Sequence, residues 1–229
     1  QGEMEEFMKS YVKPGSKMLF DGTSIFTRAD DSYAEKGYNP EYSKETQIRL
    51  LYIFDRTSYM PVFYRMIPGN IADKSALKET ILAAGCSNCI IIGDKGFYSK
   101  KNVSFLIKSG FTFILPLQYN TKMIPEKFTD NLDDHKFDGC FVYKKRLIWH
   151  KTFDCGIVGN KVHIYRDDSR KSMQELDFMR MKEADYECME DVDIFDDKRR
   201  GIFAFVSNTG GTAKDDYYLY KERWDVEQC

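Results

Sequence analysis

Apolar residues in this chain fall in short runs, and the period of the pattern changes part-way along. "KMLFDGTSIFTR" at 17–28, "TQIRLLYIFD" at 46–55 and "YMPVFYRMIPG" at 59–69 are rich in β-branched and aromatic residues and read as strands. Only "RTS" separates the second from the third, so those two should pair as a hairpin. In "GNIADKSALKETILAAG", Leu77, Ile81 and Leu82 recur at helical spacing. Asp73 stands where an N-cap belongs and Gly85 where a helix ends. "IIIGD" predicts a short buried strand. A helix is expected from about Ser99 to Lys108, with Val103, Leu106 and Ile107 inward and Gly110 as its stop. "FTFILPL" is a fifth strand, and residues 1–12 read as a short polar helix.

The order β-β-β-α-β-α-β predicts an α/β fold with a mixed sheet covered by helices on both faces. Beyond about residue 118 the pattern shifts. "FVYKKRLIWHKTFDCGIVGNKVHIYRD", 141–167, reads as strands turning at Gly159-Asn160. Residues 169–190 read as a charged helix with a solvated face, "GIFAFVSN" as a strand, and "AKDDYYLYKERWDVEQC" as a last helix. The expected division is a core over 13–118, a β-rich insertion over 119–200, and a return to the core over 201–229.

Composition narrows the class. With 229 residues, 42% hydrophobic and 15% aromatic, the chain can bury a substantial core. No apolar run approaches the roughly 18 residues of a membrane span, so no membrane partner is expected. The net charge of −2 neither supports nor excludes nucleic acid. Six scattered cysteines at this length fit a reducing, cytoplasmic compartment better than a disulfide scaffold. Cys86 and Cys89 form one C-x2-C without the second pair that a structural zinc site needs. "QGEMEEFMKS" has neither an initiator Met nor a signal pattern, and "RWDVEQC" has no helix terminator. Both ends are expected to be internal to a longer protein.

Three carboxylates are out of place. Asp21 interrupts an apolar strand, where Asp is normally depleted. Asp94 follows the buried "III" run, at the strand end where ligands collect in open α/β sheets. Glu227 lies on the stripe of the last helix that carries Tyr217, Tyr220 and Trp224, whereas Glu222 and Asp225 should face solvent. Each has an ordinary alternative: Asp21 at a bulge, Asp94 in a turn, Glu227 paired with Arg223 on the helix. Together they form a cluster that would need cations, and hard oxygen ligands suit Mg2+ or Mn2+.

The strand order and acid placement resemble the ribonuclease H-like fold. Tyr220, Arg223 and Glu227 match the first three members of a Tyr-x2-Arg-x3-Glu-x6-Lys signature, and "DGTSIF", "IPGNIAD" and "GDKGFYSKKN" look like blocks of the same family. The chain thereby resembles the DDE transposases of bacterial insertion sequences over about 21–227; the signature Lys would fall beyond Cys229. The resemblance implies metal-dependent cleavage and strand transfer of double-stranded DNA, with Asp21, Asp94 and Glu227 as catalytic residues and ligands of two Mg2+ or Mn2+ ions. It implies DNA contacts from Tyr220 and Arg223, to which Lys95 and Trp149 are added as candidates. It also implies a homodimer that synapses two transposon ends, at the nucleoid of a bacterial cytoplasm.

Three other readings bear on the same residues. "FDGTS" looks like the phosphatase motif Asp-x-Asp-Gly-Thr, but the nucleophile position is Leu19, which cannot attack phosphorus. Another ribonuclease H-like nuclease or resolvase would leave Tyr220, Arg223 and Glu227 unexplained. A non-catalytic DNA-binding relic would not need all three acids.

Overall fold

The computed structural model describes residues 2–28, 32–37, 45–117, 137–156, 159–184 and 200–226, with side chains described only as far as residue 180 in the helix that ends at 184 and as far as 223 in the last helix. The chain divides into two compact units, residues 1–116 with 216–229, and residues 117–215.

The first unit opens with helix α1 (Gly2–Lys9) and three strands, β1 (Lys17–Phe26), β2 (Gln47–Asp55) and β3 (Met60–Pro68). β1 pairs antiparallel with β2, and β2 with β3, through the expected hairpin. Helix α2 (Asp73–Ala84), β4 (Ile90–Gly93), one turn of 3-10 helix (Lys95–Phe97), helix α3 (Lys100–Lys108) and β5 (Thr112–Pro116) follow. β4 lies parallel to β1 and β5 parallel to β4, so the strand order in this unit is β3-β2-β1-β4-β5. This is the mixed sheet that the sequence order predicts.

Local sequence explains the element ends. Ser99 caps α3 by accepting from the Asn102 backbone N–H, and Gly85 closes α2 in the left-handed region at φ 68°. One expectation changes. Asp73 is not the N-cap of α2; Ala72 holds that place without a side-chain cap, and Asp73 begins the first turn with its carboxylate turned to another partner.

Met18, Leu19 and Phe20 of β1 and Ile91 and Ile92 of β4 are buried, so the middle of the sheet is covered on both faces. From Asp21 onward β1 emerges from that core and its side chains become partly accessible.

The second unit is antiparallel. Its strands β6 (Gly139–Tyr143), β7 (Arg146–Asp154), β8 (Lys161–Asp167) and β9 (Ile202–Ser207) pair in sequence order, with helix α4 (Asp168–Ala184) between β8 and β9. β9 belongs to this unit because it hydrogen-bonds along its length to β8. The last helix, α5 (Ala213–Val226), begins in the second unit and continues in the first. Among the described residues no helix is long and apolar enough to cross a membrane.

Candidate functional site

The parallel register of β1 and β4 pairs Met18 with Ile91, Leu19 with Ile92 and Phe20 with Gly93. One further step places Asp21 beside Asp94, whose backbone is still extended at φ −76°, ψ 168°. Neighbouring strands lie about 4.8 Å apart, and residues in parallel register point to the same face. Two carboxylates therefore leave adjacent strands side by side, just where the buried part of the sheet ends.

Each acid is held by its local sequence. Asp21 Oδ1 accepts from the N–H of Gly22 at 2.9 Å. Its Oδ2 accepts from the hydroxyl of Tyr52, its cross-strand partner on β2, at 2.9 Å. The Asp94 side chain accepts from the Lys95 N–H and caps the 3-10 turn. Asp94 thus performs the turn role that Asp often takes after a strand and keeps one carboxylate oxygen for other partners.

α5 brings charge to the same face. Arg223 is buried, and its Nη1 lies 3.3 Å from Asp21 Oδ2. Its guanidinium sits 6.0 Å from the Tyr220 ring. Tyr217 and Tyr220 are buried, as the helical stripe predicts. Glu222 does not simply face solvent; it is half-buried and paired with Lys17 at 3.5 Å and Arg56 at 3.7 Å. Lys17 and Asp21 alternate onto one face of β1, so one face of α5 sends an anion and a cation to complementary partners on that face. Glu227 lies outside the described residues, as does the Trp224 side chain.

Lys95 is exposed beside Asp94. Trp149 lies on β7 in the second unit, its ring 6.0 Å from Phe137 and 5.4 Å from the Arg166 guanidinium.

Sequence reasoning overlooked one pair. Arg49 of β2 holds Asp73 with a two-pronged ion pair, Nε to Oδ1 at 2.9 Å and Nη2 to Oδ2 at 2.7 Å. A signal was available, since Arg49 stands inside an apolar strand much as Asp21 does. Burial raises the proton affinity of the Asp73 carboxyl and Arg49 opposes this, while the charges of Asp94 and Asp21 raise it further. Three acids are therefore close enough to feel one another.

Carboxylate oxygens side by side are the donors that Mg2+ and Mn2+ take, and acids crowded in this way favour a bound cation. Asp21 and Asp94 fit such an ion. Among the described residues no group of three His, Cys, Asp or Glu side chains could hold a metal, and the third expected ligand, Glu227, is outside them.

Comparison with known proteins gives the relationship. Curated protein sequences yield no match. Among solved structures, the cryo-EM piggyBac transposase synaptic complex with hairpin DNA aligns over 94% of this chain at 14% identity and a TM-score of 0.54. This chain spans 40% of the length of that one. The Mos1 transposase paired-end complex with left transposon end aligns over 49% of this chain and 38% of its own, at 10% identity and a TM-score of 0.31. The piggyBac likeness and the β3-β2-β1-β4-β5 order give the first unit a ribonuclease H-like fold. The family described as the transposase DDE domain matches residues 13–229, nearly the whole chain, and to that family the chain belongs.

Proposed function

We propose that this chain is the catalytic domain of a bacterial insertion-sequence transposase of the Tyr-x2-Arg-x3-Glu-x6-Lys group, which cuts and joins double-stranded DNA at the element's ends. The observation that carries the reading is the side-by-side exit of Asp21 and Asp94 from neighbouring parallel strands in a chain of the transposase DDE domain family. Transposases of this family use divalent metal ions. Here two Mg2+ (or Mn2+) ions would be held by Asp21, Asp94 and Glu227. Bound ions of this kind supply an activated water and stabilise the charge that develops on the leaving 3′ oxygen.

The chain's own residues do the remaining work. The Tyr52 hydroxyl and the Gly22 N–H fix the Asp21 carboxylate, and the Lys95 N–H fixes that of Asp94. Arg223, against Asp21, offsets the negative charge and offers a planar donor set suited to a phosphate. Lys95 is exposed beside Asp94, Tyr220 is buried with its ring 6.0 Å from the Arg223 guanidinium, and Trp149 offers a stacking surface to a base. The piggyBac complex holds hairpin DNA, and by that likeness the substrate here is transposon-end DNA. Hydrolysis at the end frees a 3′-hydroxyl, which then attacks a phosphodiester of the target. A homodimer would bring two ends together, at the nucleoid of a bacterial cytoplasm.

The test is Mg2+-dependent cleavage of the element's own ends by the full-length protein. Asp21→Ala, Asp94→Ala and Glu227→Ala should each abolish cleavage and leave the circular dichroism spectrum unchanged. Wild-type cleavage by any one of them removes that residue from the site. Arg223→Gln, which removes the charge, should weaken end binding and flatten its salt dependence, since each lost phosphate contact lowers the slope by about 0.9; an unchanged slope assigns Arg223 to Asp21 alone.

A further inference from the structure

Asp73 lies on the opposite face of the sheet from the acid pair. Along β1 the pleat sends Asp21 to one face and Gly22 to the other. A Cβ built on Gly22 would stand 2.9 Å from Leu51 Cδ2 and 3.2 Å from Asp73 Oδ1. A Cβ on Gly96, two residues after Asp94, would stand 3.4 Å from Asp73 Oδ2. One carboxylate therefore rests against the backbone that follows each metal-site acid, one oxygen toward each glycine.

That carboxylate is not free to move. Both its oxygens accept from Arg49, whose side chain is 12% exposed against 16% for Asp73. Paired bonds of this kind fix orientation as well as distance. A second clamp secures the same junction. The buried side chain of Asn102, on α3, donates to the backbone carbonyls of Lys74 and Phe97, each at 2.8 Å. The first is the residue after Asp73, and the second ends the 3-10 turn that Asp94 caps.

We propose that Asp73, oriented by Arg49 and seconded by Asn102, is a positioning residue that sets the spacing of Asp21 and Asp94 from behind the sheet. It reaches the site through the Gly22 and Gly96 backbones and, from the opposite face, is not itself a metal ligand. This assignment fits the glycine at position 22, where a Cβ would crowd both Leu51 and the Asp73 carboxylate, whereas at Gly96 a Cβ would only touch that carboxylate. It also gives "IPGNIAD" a purpose, delivering Asp73 at the first turn of α2, where a carboxylate is favoured by the helix dipole. The proposal rests on the metal reading of Asp21 and Asp94, and its test has one arm that needs no metal.

The experiment compares the unsubstituted protein with Asp73→Asn, Arg49→Lys and, as a control, Asp55→Asn. Asp55 is a buried acid that caps the β2–β3 turn through Thr57 and Ser58, away from both glycines. Hydrogen exchange without metal should quicken at least tenfold at residues 21–23 and 94–97 in Asp73→Asn, and less in Arg49→Lys, but not in the control. Mn2+ binding, read from the electron paramagnetic resonance of the free ion, should weaken by about tenfold in Asp73→Asn and stay unchanged in the control. Unchanged exchange at both segments in both site variants overturns the proposal. So does quickened exchange with undiminished Mn2+ binding, which would make the pair merely structural. Quickened exchange in a protein that binds no Mn2+ even when unsubstituted supports the pinning of the two strand ends and overturns the metal reading of the site.

Discussion

Arg223 shows how much one residue's role depends on what surrounds it. On the helix alone it could pair with Glu227 or reach toward phosphate. In the fold it is buried and 3.3 Å from Asp21 Oδ2. Breaking a largely buried pair leaves a charge without compensation, so Arg223→Ala should lower stability by about 2–4 kcal/mol in urea unfolding followed by circular dichroism. Asp21 is then left for a cation. Millimolar Mn2+ should raise the unfolding midpoint of Arg223→Ala more than that of the unsubstituted protein, because ligand binding to the folded state alone stabilises it. Equal shifts would mean that the guanidinium and the ion do not compete for Asp21.

At the scale of elements, the connection entering α2 is fixed by backbone proximity. A Cβ on Gly69 would stand 2.0 Å from the Gln47 carbonyl oxygen and 2.5 Å from that of Glu35. The buried Gln47 amide also donates to the Gly69 carbonyl at 3.0 Å. Gly69→Ala must push β2 and β3 apart at that end and should cost about 1–3 kcal/mol, measured as a lower thermal midpoint. In the second unit, burial and the neighbouring charge of His163 hold the His150 imidazole below its ordinary value, with Asp138 opposing. As pH falls below about 6.5 the unfolded chain takes up that proton before the folded one does, so stability declines through that window. His150→Gln should remove part of the decline between neutral and mildly acidic urea titrations; an identical decline would trace it to other groups.

For the whole molecule, the first unit is discontinuous in sequence, and its last segment returns after the second unit. That segment buries Tyr217 and Tyr220 and supplies the partners of Asp21, Lys17 and Arg56. Fully burying one large apolar side chain contributes about 1.5–3 kcal/mol. A chain ending at 212 should therefore lose protection from hydrogen exchange in β1 and bind Mn2+ more weakly than the whole chain. Retained protection in β1 would show that the β1–β5 sheet stands without α5.

Periodicity and turn residues were enough to determine the order of elements. The hairpin of β2 and β3, the glycine close of α2, the Ser99 cap and the strand exits at Asp21 and Asp94 all depend on contacts within a few residues, which local sequence encodes. Asp21 was legible as an acid inside an apolar strand, and Asp94 as an acid just past the end of a buried one. The partners were decided by tertiary structure. Asp73 reads as a helix cap until the β2 register brings Arg49 to it, and Glu222 reads as solvated until α5 packs over Lys17 and Arg56. Such pairs join residues far apart in sequence: Arg49 and Asp73 are separated by 24 in residue number and Lys17 and Glu222 by 205. A local pattern shows that a charge is misplaced; only the packing of distant elements decides which opposite charge meets it.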